Sequence, residues 1–201
     1  FVCGSTYYTE SEKTIVLNND VTCTDTSSYF FGTDLTLDCN GHTITSIHTT
    51  CCQEQPVLQF GNNSPSSLGP YTIRNCNIVP SSDFHRATLK LENGIHYVEN
   101  VHVHGQKNAQ LSGLWIENDE PGLKNVTILN STFNDVGSGI HAATNSENDV
   151  ITITAIDVTT NRNNQGTVVR PSNGGSIELI MDHFTSNNNN RNGFEGGYGE
   201  M

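Results

Sequence analysis
Apolar and polar positions alternate along most of this chain in short runs, and the runs repeat. Thr72-Ile-Arg-Asn-Cys-Asn-Ile78, Tyr97-Val-Glu-Asn-Val-His-Val103, Thr127-Ile-Leu-Asn-Ser-Thr-Phe133 and Thr152-Ile-Thr-Ala-Ile-Asp-Val158 share one pattern. Leu35-Thr-Leu-Asp-Cys-Asn-Gly-His-Thr-Ile44 carries it early in the chain, and Glu178-Leu-Ile-Met-Asp-His-Phe184 follows it loosely. In each, an alternating strand is interrupted at one position, often by Asn, and then resumes. The anchors Ile73, Val98, Ile128, Ile153 and Leu179 follow one another at 25, 30, 25 and 26 residues. A second series, starting at Ala87, Gly113, Gly139, Gly166 and Gly193, runs in phase at 26, 26, 27 and 27 residues. A fixed period of this size marks a solenoid, whose coils bury their apolar faces on one another. The segments are too short and too alternating for helices, and Val, Ile, Thr and Phe suit a pleated surface. Two series at one period require at least two strands per coil. The pattern predicts an all-β parallel β-helix of six or seven coils.

Alternation also assigns faces. Ile73, Ile78, Val98, Val103, Ile128, Phe133, Ile153, Val158, Leu179 and Phe184 are predicted to point inward, with the five anchors in a single column. Leu89, Leu91, Leu114, Ile116, Ile140, Ala142 and Phe194 point inward from the second series. The residues between them form outward files with a rung spacing of about 4.8 Å. One file is Lys90, Trp115, His141, Val168 and Glu195; the next is Glu92, Glu117, Ala143 and Arg170. The other sheet presents Asn77, His102, Thr132, Asp157 and His183. Asn75, Asn100 and Asn130 share the interrupted position, where inward Asn side chains are expected to bond along the axis.

The opening Cys3-Gly4, Thr14-Ile-Val-Leu17, Asp20-Val-Thr-Cys23 and the Leu35–Ile44 run, followed by Asn75-Cys76, form a recognisable set. They resemble the first coils of secreted right-handed parallel β-helix proteins of the pectate-lyase-like class. The resemblance covers essentially the whole chain. It implies a right-handed coil and one domain over 1–201, with 1–34 as a stapled cap and first coil and 35–201 as repeated coils. It speaks to fold rather than activity, since the class holds lyases, hydrolases, epimerases and adhesins. The Asn-Thr-Asp, Asp-Asp, Gly-His-Gly and Arg-Ile-Lys signatures of its polygalacturonase-like members are missing, Ser138-Gly-Ile-His141 being a poor match. The calcium-binding Asp trio of pectate lyases and the Asp-Pro-His of alginate epimerases are missing too. No catalytic residue is assigned.

Only 15% of the 201 residues are charged and the net charge is −12, so solubility rests on Asn, Thr, Ser and Gly. That charge disfavours nucleic acid and anionic membranes. It also disfavours acidic polysaccharides unless calcium or a local basic patch intervenes. No apolar run reaches the roughly 18 residues of a membrane helix. Six cysteines, all within residues 3–76, fit an oxidising compartment. A chain opening at Phe1 without a basic, apolar leader fits a secreted protein already processed. Cys3–Cys23 is the expected pair, tying the leading segment to the first coil; connectivity among Cys39, Cys51, Cys52 and Cys76 stays open. A rival zinc site from Cys39, Cys51, Cys52 and His42 or His48 lacks a paired Cys-x-x-Cys spacing. Asn62-Asn-Ser64, Asn125-Val-Thr127 and Asn130-Ser-Thr132 are N-glycosylation sequons. Asn62 and Asn125 rank ahead of Asn130, which is expected inside the turn.

Candidate chemistry lies on the outward files with Lys90, Glu92, Trp115, Glu117, His141 and Arg170. Trp115 suits stacking on a sugar ring. Two neighbouring carboxylates suit calcium or an acid/base pair, and Arg170 suits a substrate carboxylate. The same residues also read as a mixed-charge face that keeps a sheet soluble. His102-Val-His104 offers two imidazoles without a third metal ligand. No cofactor is expected. The last coil, with Phe194 and a Gly-rich stretch but no amphipathic cap, is expected to leave an open edge, covered either by polypeptide continuing beyond Met201 or by another copy. Phe1, Val2, Tyr7 and Tyr8, within Phe1–Glu12, are expected to dock on that edge of the next copy. Such head-to-tail contacts grow filaments. The sequence thus predicts a secreted, N-glycosylated structural β-helix that polymerises with copies of itself into an extracellular fibre or coat. The alternative is polysaccharide binding or turnover on the Trp115 face.

Overall fold
The computed structural model describes residues 1–47, 55–61, 69–81, 87–106, 111–118, 123–172 and 174–196. Their regular structure is all strand, every strand pair is parallel, and the sheets stack as a β-solenoid of about six turns. One 8-stranded sheet runs in the order β1 (Thr6–Thr9), β4 (Ser28–Gly32), β7 (Leu58–Phe60), β9 (Ala87–Leu91), β11 (Ser112–Asn118), β14 (Ser138–Thr144), β17 (Gln165–Arg170) and β20 (Phe194–Gly196). The other sheet has 12 strands and bends at a corner. Its first arm is β2 (Lys13–Val16), β5 (Leu35–Asp38), β8 (Tyr71–Val79), β10 (Ile95–His104), β12 (Leu123–Leu129), β15 (Val150–Ile156) and β18 (Ser176–Asp182). Its second arm is β3 (Val21–Thr24), β6 (Thr43–Ile47), the later halves of β8 and β10, β13 (Thr132–Asn134), β16 (Thr159–Asn161) and β19 (Thr185–Asn187). No described helix is long and apolar enough to cross a membrane.

The interrupted position of the repeat is the corner. Asn75, Asn100, Asn130, Asp157 and His183 have φ of 55°, 52°, 45°, 55° and 50°, the left-handed region that Asn and Asp tolerate best. Asn75 Nδ2 donates to Asp38 Oδ1 at 3.1 Å, and Asn100 Nδ2 to Asn75 Oδ1 at 3.1 Å. The axial bonding is therefore present for these two half-buried residues. Asn130 is exposed, which overturns its inward placement.

The corner corrects two further expectations. Asp157 and His183 belong to the corner file, whereas the neighbouring strand file runs Asn77, His102, Thr132, Thr159 and Thr185. Ile73, Val98 and Ile128 are level, but that column continues through Ala155 and Met181. Ile153 and Leu179 are instead level with Val126. Side chains alternate every two residues, so a two-residue slip keeps each on its own face while shifting the column.

The interior is continuous from the first coil to the sixth. Tyr7, Phe30 and Phe60 are level and stack at 5.0 Å and 4.3 Å between centroids. Phe1 packs beside them, 6.0 Å from Tyr7 and 6.3 Å from Phe30. The predicted inward residues of the middle coils are buried, whereas Leu179 and Phe184 are only half-buried and Phe194 is exposed. Where successive coils pass closely the chain uses glycine: a Cβ on Gly139 would lie 2.6 Å from Gly166 O.

Cys3–Cys23 is bridged with Cα atoms 5.3 Å apart, as expected, and Cys39–Cys76 with Cα atoms 4.8 Å apart. The second bridge ties two successive coils at the corner. It also removes Cys39 from the rival zinc set, and His42 instead contacts Asp20 at 3.3 Å. Cys51, Cys52, His48 and Asn62 lie outside the described residues.

Candidate functional site
The file predicted from the sequence is present in register rung by rung, although Val168 within it is fully buried. Tyr29, Gln59, Lys90, Trp115, His141, Val168 and Glu195 are successive partners across the 8-stranded sheet. Glu117, Ala143 and Arg170 form the next file, with Glu92 following in phase. All six candidate residues therefore share one face.

What they do there is largely internal. Lys90 Nζ bonds Glu92 Oε1 and lies 3.2 Å from Glu117 Oε2. Gln59 Nε2 donates to the other oxygen of Glu92 at 3.0 Å, and Asn145 Nδ2 to the other oxygen of Glu117 at 3.2 Å. The Glu92 and Glu117 side chains are 6% and 10% exposed. Burial disfavours the Lys90 charge, but the hydrogen bond and charge of Glu92 and the charge of Glu117 outweigh it and raise its pKa above the usual lysine value. Two carboxylates that clamp one lysine form a closed ionic cluster, each with an ammonium and a side-chain amide as partners. Arg170 is likewise engaged, its Nη2 donating to Glu195 at 3.2 Å. That bond first, with Asn192 adding to it, holds the Glu195 carboxyl below its usual value.

Trp115 is half-buried, and its ring is stacked on His141, 4.2 Å between centroids and 7° from parallel. Rings in one file stack along the solenoid axis, so His141 covers one indole face. The other side borders a groove of about 160 Å³ lined by Tyr29, Gln55, Pro56, Gln59, Ala87, Lys90 and Trp115. This is below the roughly 300–1,000 Å³ of drug-sized pockets and suits one small ring.

The weaker constellations resolve similarly. His102 bonds Thr132 Oγ1 through Nδ1 and Asn100 Oδ1 through Nε2, both at 3.1 Å. Burial first, then His104, lowers the His102 pKa. His183 Nδ1 lies 3.5 Å from Asp157 and 3.5 Å from Asp182, all exposed. Among the described residues no group of three His, Cys, Asp or Glu is arranged to hold a metal ion.

Two polar residues inside the coil escaped the sequence reading. Lys124 is fully buried, its Nζ donating to the carbonyls of Leu91, at 3.1 Å, and Glu117. His96 is 1% exposed, stacks on Tyr71 at 5.2 Å, and directs Nε2 to the carbonyls of Glu92 and Asn93. Burial, helped by the Lys124 charge, pushes its pKa down to about 3, so the imidazole is neutral. Parity marked both: His96 lies two residues before Val98 and Lys124 two before Val126. Each caps carbonyls where the chain turns from one sheet to the other.

No family model matches the chain, and no match to it was found among curated proteins or solved structures.

Proposed function
We propose that this chain is a structural unit of an extracellular fibre or coat, built by stacking solenoids end to end. The observation that carries this reading is the rear face. Among the described residues β18, β19 and β20 have a strand partner on one side only, and two inward files end there in Met181, 44% exposed, and Phe194, 52% exposed. β1, β2 and β3 likewise have unpaired outer edges at the front. A second copy in the same orientation meets the rear edge with parallel strands, pairing its donors and acceptors and burying apolar surface.

Phe1 and Tyr7 are not free hooks, because both pack against Phe30 of their own coil. Val2 and Tyr8, 66% and 63% exposed, remain to meet the next copy. Deleting Phe1–Glu12 would remove β1, so point substitutions test the joint better. Val2→Asp and Met181→Asp should each abolish filaments while leaving the circular dichroism of the coil unchanged. Filaments that persist in both variants would overturn the reading. Two disulfides fit export to an oxidising compartment, and the sequons fit glycans attached on that route.

A second reading rests on the groove beside Trp115. Lys90 and Arg170 are matched by Glu92, Glu117 and Glu195, so no surplus cation faces an acidic sugar, and a neutral ring is the fitting ligand. Tyr29→Ala and Trp115→Ala should each weaken retention on an immobilised neutral glycan. Wild-type protein that passes unretained through a panel of such glycans would remove this reading.

A further inference from the structure
Two corner asparagines of this coil, Asn75 and Asn100, bond along the axis, and a third, Asn130, does not. Asp38, Asn75 and Asn100 are linked by successive side-chain bonds of 3.1 Å along the axis. Asn130 occupies the next rung of the same corner. Asn100 Oδ1 takes its bond from His102 Nε2 at 3.1 Å, not from Asn130. The ladder stops at Asn100, and the Asn130 side chain is exposed at a left-handed corner, without a side-chain bond to any described residue. Ser131, next in the chain, turns inward and is fully buried, its hydroxyl accepting from Val101 N–H. Asn130 therefore stands alone on a ridge between the two arms of the 12-stranded sheet.

Asn125 is placed differently. It lies within β12, half-buried, between Ile95 on one neighbouring strand and Thr152 on the other. A sugar attached there would have to rise between side chains of two neighbouring strands on the sheet face.

We infer that Asn130 is the occupied N-glycan site of the described coils and that Asn125 is left bare. The inference rests on the secretory part of the reading above, not on assembly. The donor is an oligosaccharide on a polyprenyl diphosphate. The Asn130 Nδ2 attacks the anomeric carbon, a C–N bond forms as the C–O bond to diphosphate breaks, and diphosphate leaves with the electron pair. One amide proton passes to a base of the transferase. A glycan on the ridge stands clear of both end faces and shields the two flanking outward faces from lateral packing.

The test uses protein from its native source or from a eukaryotic secretory host. Enzymatic removal of N-glycans in ¹⁸O-water marks each occupied asparagine as labelled Asp, which tandem mass spectrometry localises. Label at position 130 and none at 125 is expected. Label at 125, or none at 130, overturns the inference. Thr132→Ala should remove one glycan step from the mass of the secreted protein, and Thr127→Ala should remove none; the reverse result also overturns it. Filaments built from a chain bare at Asn130 would sink this inference alone. A glycosylated chain that stays monomeric would sink the fibre reading alone.

Discussion

Replacing Lys90 by Met separates a structural ionic cluster from a ligand site. The ammonium is bound by Glu92 and lies 3.2 Å from Glu117, in side chains 19%, 6% and 10% exposed. Removing one partner of a buried charge pair costs about 3–5 kcal/mol, because the remaining charge is stranded. Here two carboxylates are stranded, but Lys90 is partly open to water, and Gln59 and Asn145 keep their bonds to Glu92 and Glu117. The lower end, about 3 kcal/mol, is the expected loss. Urea unfolding at pH 7 reads it as a fall in midpoint at unchanged slope. The variant Lys90→Met, Glu92→Leu, Glu117→Leu should recover most of the loss, since apolar replacement of a whole buried cluster is often neutral. A Lys90→Met protein within about 0.5 kcal/mol of wild type, the range of ordinary surface substitutions, would refute the closed-cluster account.

Three further outcomes follow from the interior. Phe30→Ala removes the middle ring of the front stack and should cost about 3–5 kcal/mol. Because coils contact only their neighbours, hydrogen exchange should rise in β1, β4 and β7 and not in β14 to β17; a uniform rise would contradict the repeat-by-repeat picture. His96 has a folded pKa depressed from 6.5 to about 3, so the stability it contributes is full above pH 6.5 and falls as pH drops toward 3. The slope is about 1.4 kcal/mol per pH unit at most, and subtracting the His96→Phe profile from wild type should isolate it; parallel profiles would refute the buried neutral imidazole. Breaking Cys3–Cys23 and Cys39–Cys76, with loops of 20 and 37 residues, should cost about 3 and 4 kcal/mol in the chain-entropy view. Equal thermal midpoints with and without reductant would contradict that.

The coil was legible because its two signals are local: alternation every two residues and a return of apolar runs at each turn. The file Lys90, Trp115, His141, Val168, Glu195 followed directly, since Leu89, Leu114 and Ile140 fix its level on each rung. The other sheet slipped after Ile128 because Val126 and Ile128 are both apolar and on the same face, so alternation cannot choose between them. The left-handed corner chooses, and at Asp157 and His183 it is not built from Asn. Side-chain partnerships were less legible. That Lys90 sits between two glutamates depends on neighbouring files and on Gln59 and Asn145 from other coils. Asn130 differs from Asn75 and Asn100 in partners rather than in pattern: all three share the corner position, but only the first two bond along the axis, which alternation does not reveal.

Electron microscopy of the natively isolated protein tests the central claim most directly. End-to-end stacking predicts unbranched filaments one solenoid wide with a strand spacing of about 4.8 Å along the axis. With seven or eight rungs in the strand files, each copy of these coils should advance the filament by about 34–38 Å at that spacing. Map density should show β1 to β3 of one copy paired with β20, β18 and β19 of the last. Discrete monomers at high protein concentration, or further coils of the same chain occupying either end face, would contradict the account.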